Sequence, residues 1–286
     1  MRILSLCLFV LTVHLLSAQT SKSGNIVELK EAIQKKLISA SITGLGGHQG
    51  ESIKVVCKNL SGRYLRIRIP QGQLMAPADS AEQTLVVAEE YLVSLTTKTP
   101  AEALLKTFCT EAGDMSPSLN AAFAIGALAP EAVCKLLQFI TEKGKVDAPQ
   151  AQTAIWCLTS KNYSVAGIGD AELARFTADL KGVAMPGYKV TYKPVEEVPG
   201  RPAELGKALL VEGNFTFYLE KDEIARMVLL DGEQKLIKQL SKDETMKAGE
   251  HRSGMKLEVY NLDPGKYIVR LQTKAGRVIK DWPVEF

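Results

Sequence analysis

The chain has 286 residues, 46% of them apolar and 23% charged, a profile that excludes a disordered or fibrous protein and leaves room for two or three ordinary domains. Its formal charge of +3, with no long like-charge run, gives no electrostatic basis for binding nucleic acid or an anionic membrane surface.

The N-terminus sets the compartment. Met1-Arg2 is a short basic start, and Ile3 to Leu16 is apolar apart from Ser5, Thr12 and His14. With the cleavage region Ser17-Ala18-Gln19, this predicts a signal peptide over 1–18, cut after Ala18. No later stretch is long and apolar enough for a membrane span, so an exported protein without an integral membrane segment is expected: periplasmic, cell-surface or secreted. Cys7 leaves with the leader. Cys57, Cys109, Cys134 and Cys157 remain as disulfide candidates, with all three pairings open. They form no C-x-x-C pair, and only His48 and His251 accompany them, so neither a metal site nor a cofactor is expected.

Asn25 to Leu37 carries Ile26, Leu29, Ile33 and Leu37 at helical intervals. The period then changes. Ile53, Val55 and Cys57 alternate with polar residues, as do Leu65, Ile67 and Ile69, across a turn at Asn59-Leu60-Ser61-Gly62. Leu85 to Val87 and Tyr91 to Leu95 continue this sheet or form a helix, and residues 39 to about 109 read as an antiparallel β-sandwich. The run Gly44-Leu45-Gly46-Gly47-His48-Gln49-Gly50 leads into a strand-like segment rather than a helix, and no Lys-Ser or Lys-Thr closes it. It therefore reads as a hairpin loop, not a phosphate loop.

From Met115 the chain reads as helical. Pro130-Glu131 opens a helix burying Val133, Leu136, Leu137 and Ile140, with Gly144 placed to end it. Asp147, with Gln150 three residues on, reads as the cap of a second helix, and Pro149 suits its first turn. Ala151, Ala154, Ile155 and Leu158 form its apolar stripe, with Gln152 and Trp156 one turn apart at the edge. A glutamine there requires a polar partner. Asp170 caps a third helix, which buries Leu173, Phe176 and Leu180 and stops at Gly182.

Proline and glycine then mark a linker over 186–202, which divides a β-sandwich plus helical segment over 19–185 from an all-strand region over 203–286. Short strands separated by Lys221-Asp222, Asp231-Gly232, Asp263-Pro264-Gly265 and Ala275-Gly276 predict a second β-sandwich.

Two family resemblances follow. The stretch LLDGEQKLIKQL, then MKAGEH, then NLDPGKYIVRLQTKAGRVIK is similar to the immunoglobulin-like modules that end many exported bacterial proteins. Hook-capping immunoglobulin-like domains and the C-terminal sorting domains of the type IX secretion system are examples. The chain finishes Asp281-Trp282-Pro283-Val284-Glu285-Phe286 rather than in a short basic tail, which favours a structural module over a sorting signal. The second resemblance rests on Phe108-Cys109-Thr110-Glu111, Ser116-Pro117 and Gln152-Thr153-Ala154-Ile155-Trp156, which together resemble a shortened bacterial surface thioester domain. The resemblance implies that the Cys109 thiol attacks the Gln152 carboxamide and expels ammonia, and that the thioester then acylates an amine or other nucleophile on a target. The alternative is that Cys109 is buried or disulfide-bonded while Gln152 hydrogen-bonds a loop backbone.

Other chemistry is thinly represented. There is no Gly-x-Ser-x-Gly elbow, and both His48 and His251 read as solvated. Glu89-Glu90 and Glu196-Glu197 are adjacent rather than convergent, and Arg63, Arg66 and Arg68 read as a solvent face. The expectation is an exported, non-catalytic envelope or extracellular interaction and adhesion module, with a protein or glycan surface partner. The alternatives are a thioester adhesin using Cys109 and Gln152, and a secreted enzyme, which requires convergent ionisable groups around His48 or His251.

Overall fold

The computed structural model describes residues 26–286 except 162, 197 and 203. The signal peptide expected over 1–18 lies outside the described residues. In chain order the elements are β1 (Ile26–Glu28), α1 (Leu29–Gln34), β2 (Ile38–Leu45), β3 (Gln49–Asn59), β4 (Leu65–Ile69), β5 (Gln73–Pro77), β6 (Leu85–Val87), β7 (Tyr91–Leu95), β8 (Ala101–Cys109) and β9 (Leu119–Leu128). Three helices follow: α2 (Glu131–Glu142), α3 (Pro149–Thr159) and α4 (Ala171–Lys181). The rest is strand: β10 (Tyr188–Tyr192), β11 (Ala208–Leu219), β12 (Glu223–Asp231), β13 (Leu236–Gln239), β14 (Glu244–Met246), β15 (Gly249–Glu258), β16 (Lys266–Thr273) and β17 (Val278–Glu285). The fold is thus mixed and mostly β. Among the described residues no helix is long and apolar enough to cross a membrane.

In the N-terminal unit six strands close in the order β2-β3-β8-β6-β5-β9, where the alternation alone had suggested an open sandwich. The closing strand is β9, which the sequence reading assigned to a helical region. Its Leu-Asn-Ala-Ala-Phe-Ala run is rich in a strong helix former. Pairing with both β5 and β2 overrides that preference by satisfying two strand edges at once. Beside the barrel, β1-β4-β7 forms a three-stranded sheet in which β1 runs parallel to β4. Leu65, Ile67 and Ile69 of β4 enter the same core as Ile53, Val55 and Cys57 of β3. Arg66 and Arg68 take the opposite face of β4, where Arg68 pairs with Glu90 at 2.7 Å.

The helices cover the outer face of β8. Successive strand residues point to opposite sides, and the end of β8 shows the consequence. Phe108 joins Leu136, Leu137 and Ile155 in the helical core, while Cys109 faces the barrel core. Asp170 caps α4, accepting from the backbone N–H groups of Glu172 and Leu173, and Gly182 terminates it in the left-handed conformation at φ 70°. Asp147 is not the cap of α3. Ala148 holds that position, and the Asp147 carboxylate instead meets Lys106 at 2.7 Å. A salt bridge to β8 thus replaces the expected local bond.

In the C-terminal unit β10-β11-β15 form one sheet and β13-β12-β16-β17 another, with β14 also paired to β12. Val211 and Leu257 from the first sheet share a core with Leu229, Val269 and Val284 from the second. Strand β10 lies within the stretch read as linker. Val190 is buried between two half-buried tyrosines, Tyr188 and Tyr192, so the segment carries enough apolar surface to pair with β11. The units are in contact. Ala166, in the turn after α3, belongs to the C-terminal core, and the Leu205 N–H donates to the Tyr163 hydroxyl at 3.3 Å.

Candidate functional site

Cys109 is the last residue of β8 and Gln152 lies in the first turn of α3, and the fold brings them together. The Cys109 N–H donates to Gln152 Oε1 at 2.9 Å, and Gln152 Nε2 donates to the Cys109 carbonyl at 2.9 Å. The carboxamide therefore lies flat against both backbone polar groups of the residue that carries the thiol. Cys109 is 0% exposed and Gln152 2%. Burying an amide without partners costs about 2–7 kcal/mol, so the two bonds explain how a glutamine is tolerated there. The backbone that Gln152 bonds belongs to Cys109 itself.

The approach of α3 is set by small residues. Ala151 and Ala154 are fully buried beside Gln152, and Trp156, one turn on, reaches into the barrel core. The turn after Cys109 is held by side chains. Glu111 accepts from the Thr84 N–H at 2.7 Å, the Thr110 hydroxyl donates to the Thr84 carbonyl at 2.9 Å, and Ser160 Oγ accepts from the Ala112 N–H at 3.2 Å.

His48 is the candidate residue whose surroundings differ from the sequence reading. The glycine loop was expected to leave it solvated, yet it is only partly exposed. Antiparallel pairing of Gln49 with Phe108 sets His48 directly across from Cys109, whose N–H also donates to the His48 carbonyl at 3.0 Å. The imidazole packs on the Trp156 indole with ring centroids 5.5 Å apart. No local signal announces this, because it depends on the register between β3 and β8. His251 lies in β15 of the other unit, stacked on Phe217 at 4.9 Å, and takes no part in the site.

A cavity of about 510 Å³ opens onto these residues. Its inner wall includes His48, Gln49, Gln152, Thr153 and Trp156, and its outer wall is made by residues 192–196, 198, 201, 202 and 204–206 of the segment leading from β10 to β11. That segment is fastened at Ser116. The Ser116 N–H donates to the Arg201 carbonyl at 2.8 Å, the Gly200 N–H to the Ser116 carbonyl at 3.1 Å, and Ser116 Oγ to the Val198 carbonyl at 3.2 Å. Lys193, Glu196, Arg201 and Glu204 supply charge at the outer wall. Two buried donors near the site, Trp156 Nε1 and Thr107 Oγ1, have no hydrogen-bond partner among the described residues.

No disulfide joins the four cysteines. The four lie in separate parts of the fold. Cys57 sits mid-strand in the barrel core, Cys134 packs over Gly72 at the edge of α2, and Cys157 lies in the helical core. Burial pushes the Cys57 thiol up to about 11 and the Cys157 thiol up to about 12, and it also raises Cys134. Among the described residues no group of histidines, cysteines and carboxylates could hold a metal ion.

The site therefore gathers a cysteine, a glutamine carboxamide, an imidazole and an indole around the end of β8. Searches against protein-family models and curated proteins find no match to this chain.

Proposed function

We propose that this is an exported bacterial adhesion module in which Cys109 and Gln152 condense to an internal thioester that captures an amine on a protein or glycan partner. The observation carrying this reading is the paired hydrogen bonding of the Gln152 carboxamide to the Cys109 backbone inside a buried pocket. The thioester needs the Gln152 carboxamide next to the residue that carries the thiol, and these two bonds hold it there. Burial supports the second requirement, since a thioester survives only where water is kept away until the target arrives. The two sheets of the C-terminal unit fit an immunoglobulin-like module that accompanies the reactive unit.

Intact-mass measurement of the purified chain tests this. The expected mass is short by one ammonia, rises by one methylamine on treatment with that amine, and reverts to the full calculated value in Cys109→Ala. An unreduced wild-type mass would refute the thioester. A second reading, a secreted thiol enzyme, is favoured by the position of His48 opposite Cys109. It requires the full mass together with loss of activity in Cys109→Ala.

A further inference from the structure

We infer that His48 is the acid–base residue of acyl transfer at this site, accepting and returning the protons that move when the Cys109–Gln152 bond forms and when a target amine breaks it. The inference rests on the thioester reading. Strand register places His48 opposite Cys109, and the ring is held by the indole of Trp156, which stands one helical turn after Gln152. His48, Gln152 and Trp156 line the same cavity, so the imidazole borders the space through which an amine would enter. Among the described residues, the other charged groups facing that space are Lys193, Glu196, Arg201 and Glu204. An imidazole is the side chain whose ordinary proton exchange falls near neutral pH.

Both steps require such a group. In the first, the Cys109 Sγ–H proton passes to the imidazole and the sulfur attacks Gln152 Cδ. The C–N bond then breaks, and the proton returns to nitrogen so that ammonia leaves. In the second, a primary amine attacks the same carbon and the C–S bond breaks. The proton lost by the attacking nitrogen travels through His48 to the departing Cys109 sulfur, leaving a secondary amide and a thiol. No oxidant or other reactant enters either step.

The test follows methylamine addition to the full chain by intact mass between pH 5 and 9, with thermal unfolding as a control. General acid–base catalysis contributes about 10²–10⁴-fold, so His48→Gln is expected to slow amine addition by about 100-fold or more while the protein stays folded. The wild-type rate, corrected for the fraction of unprotonated methylamine, is expected to show an inflection between about pH 5 and 8 that His48→Gln lacks. A wild-type profile without an inflection overturns the inference, whether or not the variant folds. An unchanged rate in folded His48→Gln overturns it as well. Wild-type protein that has lost no ammonia overturns the thioester reading itself, which separates the two failures.

Discussion

Replacing Gln152 with glutamate isolates the demands of the pocket. The experiment belongs in a Cys109→Ala background, where the backbone bonds of residue 109 persist and no thioester can form. A neutral glutamic acid can copy the glutamine, accepting from the residue 109 N–H and donating to its carbonyl, the pair of bonds now made at 2.9 Å each. An ionised glutamate cannot donate, and one of its oxygens would face a carbonyl at a position only 2% exposed. Burial thus favours the neutral form and raises the folded-state pKa above the ordinary glutamate value of about 4.3.

The sign follows from linkage. Below about pH 4.3 both states are protonated, and the Gln152→Glu protein should nearly match its glutamine parent. Above that pH the unfolded chain ionises first, and the variant loses about 1.4 kcal/mol per pH unit until the folded-state pKa is passed. Fully buried carboxyls shift by up to about 3–5 units, so the loss at pH 7 is roughly 4 kcal/mol. Domains are typically stable by only about 5–15 kcal/mol. Urea unfolding of both proteins from pH 4 to 8 gives the difference directly. A gap that stays constant with pH, or one below about 1 kcal/mol at pH 7, would show that the carboxamide is not held as described.

Two further outcomes follow from the same geometry. Because burial pushes the Cys57 and Cys157 thiols to about 11 and 12, iodoacetamide at pH 8 should modify neither in folded protein and both after denaturation; peptide mapping showing native labelling of either would contradict their placement. Asp170→Ala should cost about 1 kcal/mol at neutral pH, read by urea unfolding. The Leu173 N–H and then Lys145 hold the Asp170 carboxyl below its usual range. That contribution is present above the ordinary aspartate pKa of about 3.9 and is lost as pH falls through the lower folded-state value. The gap between wild type and variant should therefore close in acid, and a gap that widens there would reverse the assignment.

Local rules carry much of the architecture. The Asp170 cap and the Gly182 stop are legible because each depends on bonds within one or two turns of helix. The alternation of Ile53, Val55 and Cys57 likewise settles which face of β3 is buried, since a strand's period of two is a property of the backbone. Gln152 could be singled out as a polar residue on a buried edge, and Cys109 and Gln152 could be paired through a family resemblance. Their meeting could not be read from the chain, because it depends on how α3 seats against the end of β8.

Tertiary structure decided the rest. Pairing on both edges turned the alanine-rich β9 into the strand that closes the barrel, against its own preference. Asp147 gave up a cap for Lys106 on a neighbouring strand. His48, read as part of a solvated loop, stands opposite Cys109 because antiparallel register, one residue at a time, determines which residues face each other. Composition and periodicity report what each segment prefers alone; the pocket exists only where segments 43 and 61 residues from Cys109 converge on it, an energy that no single segment contains.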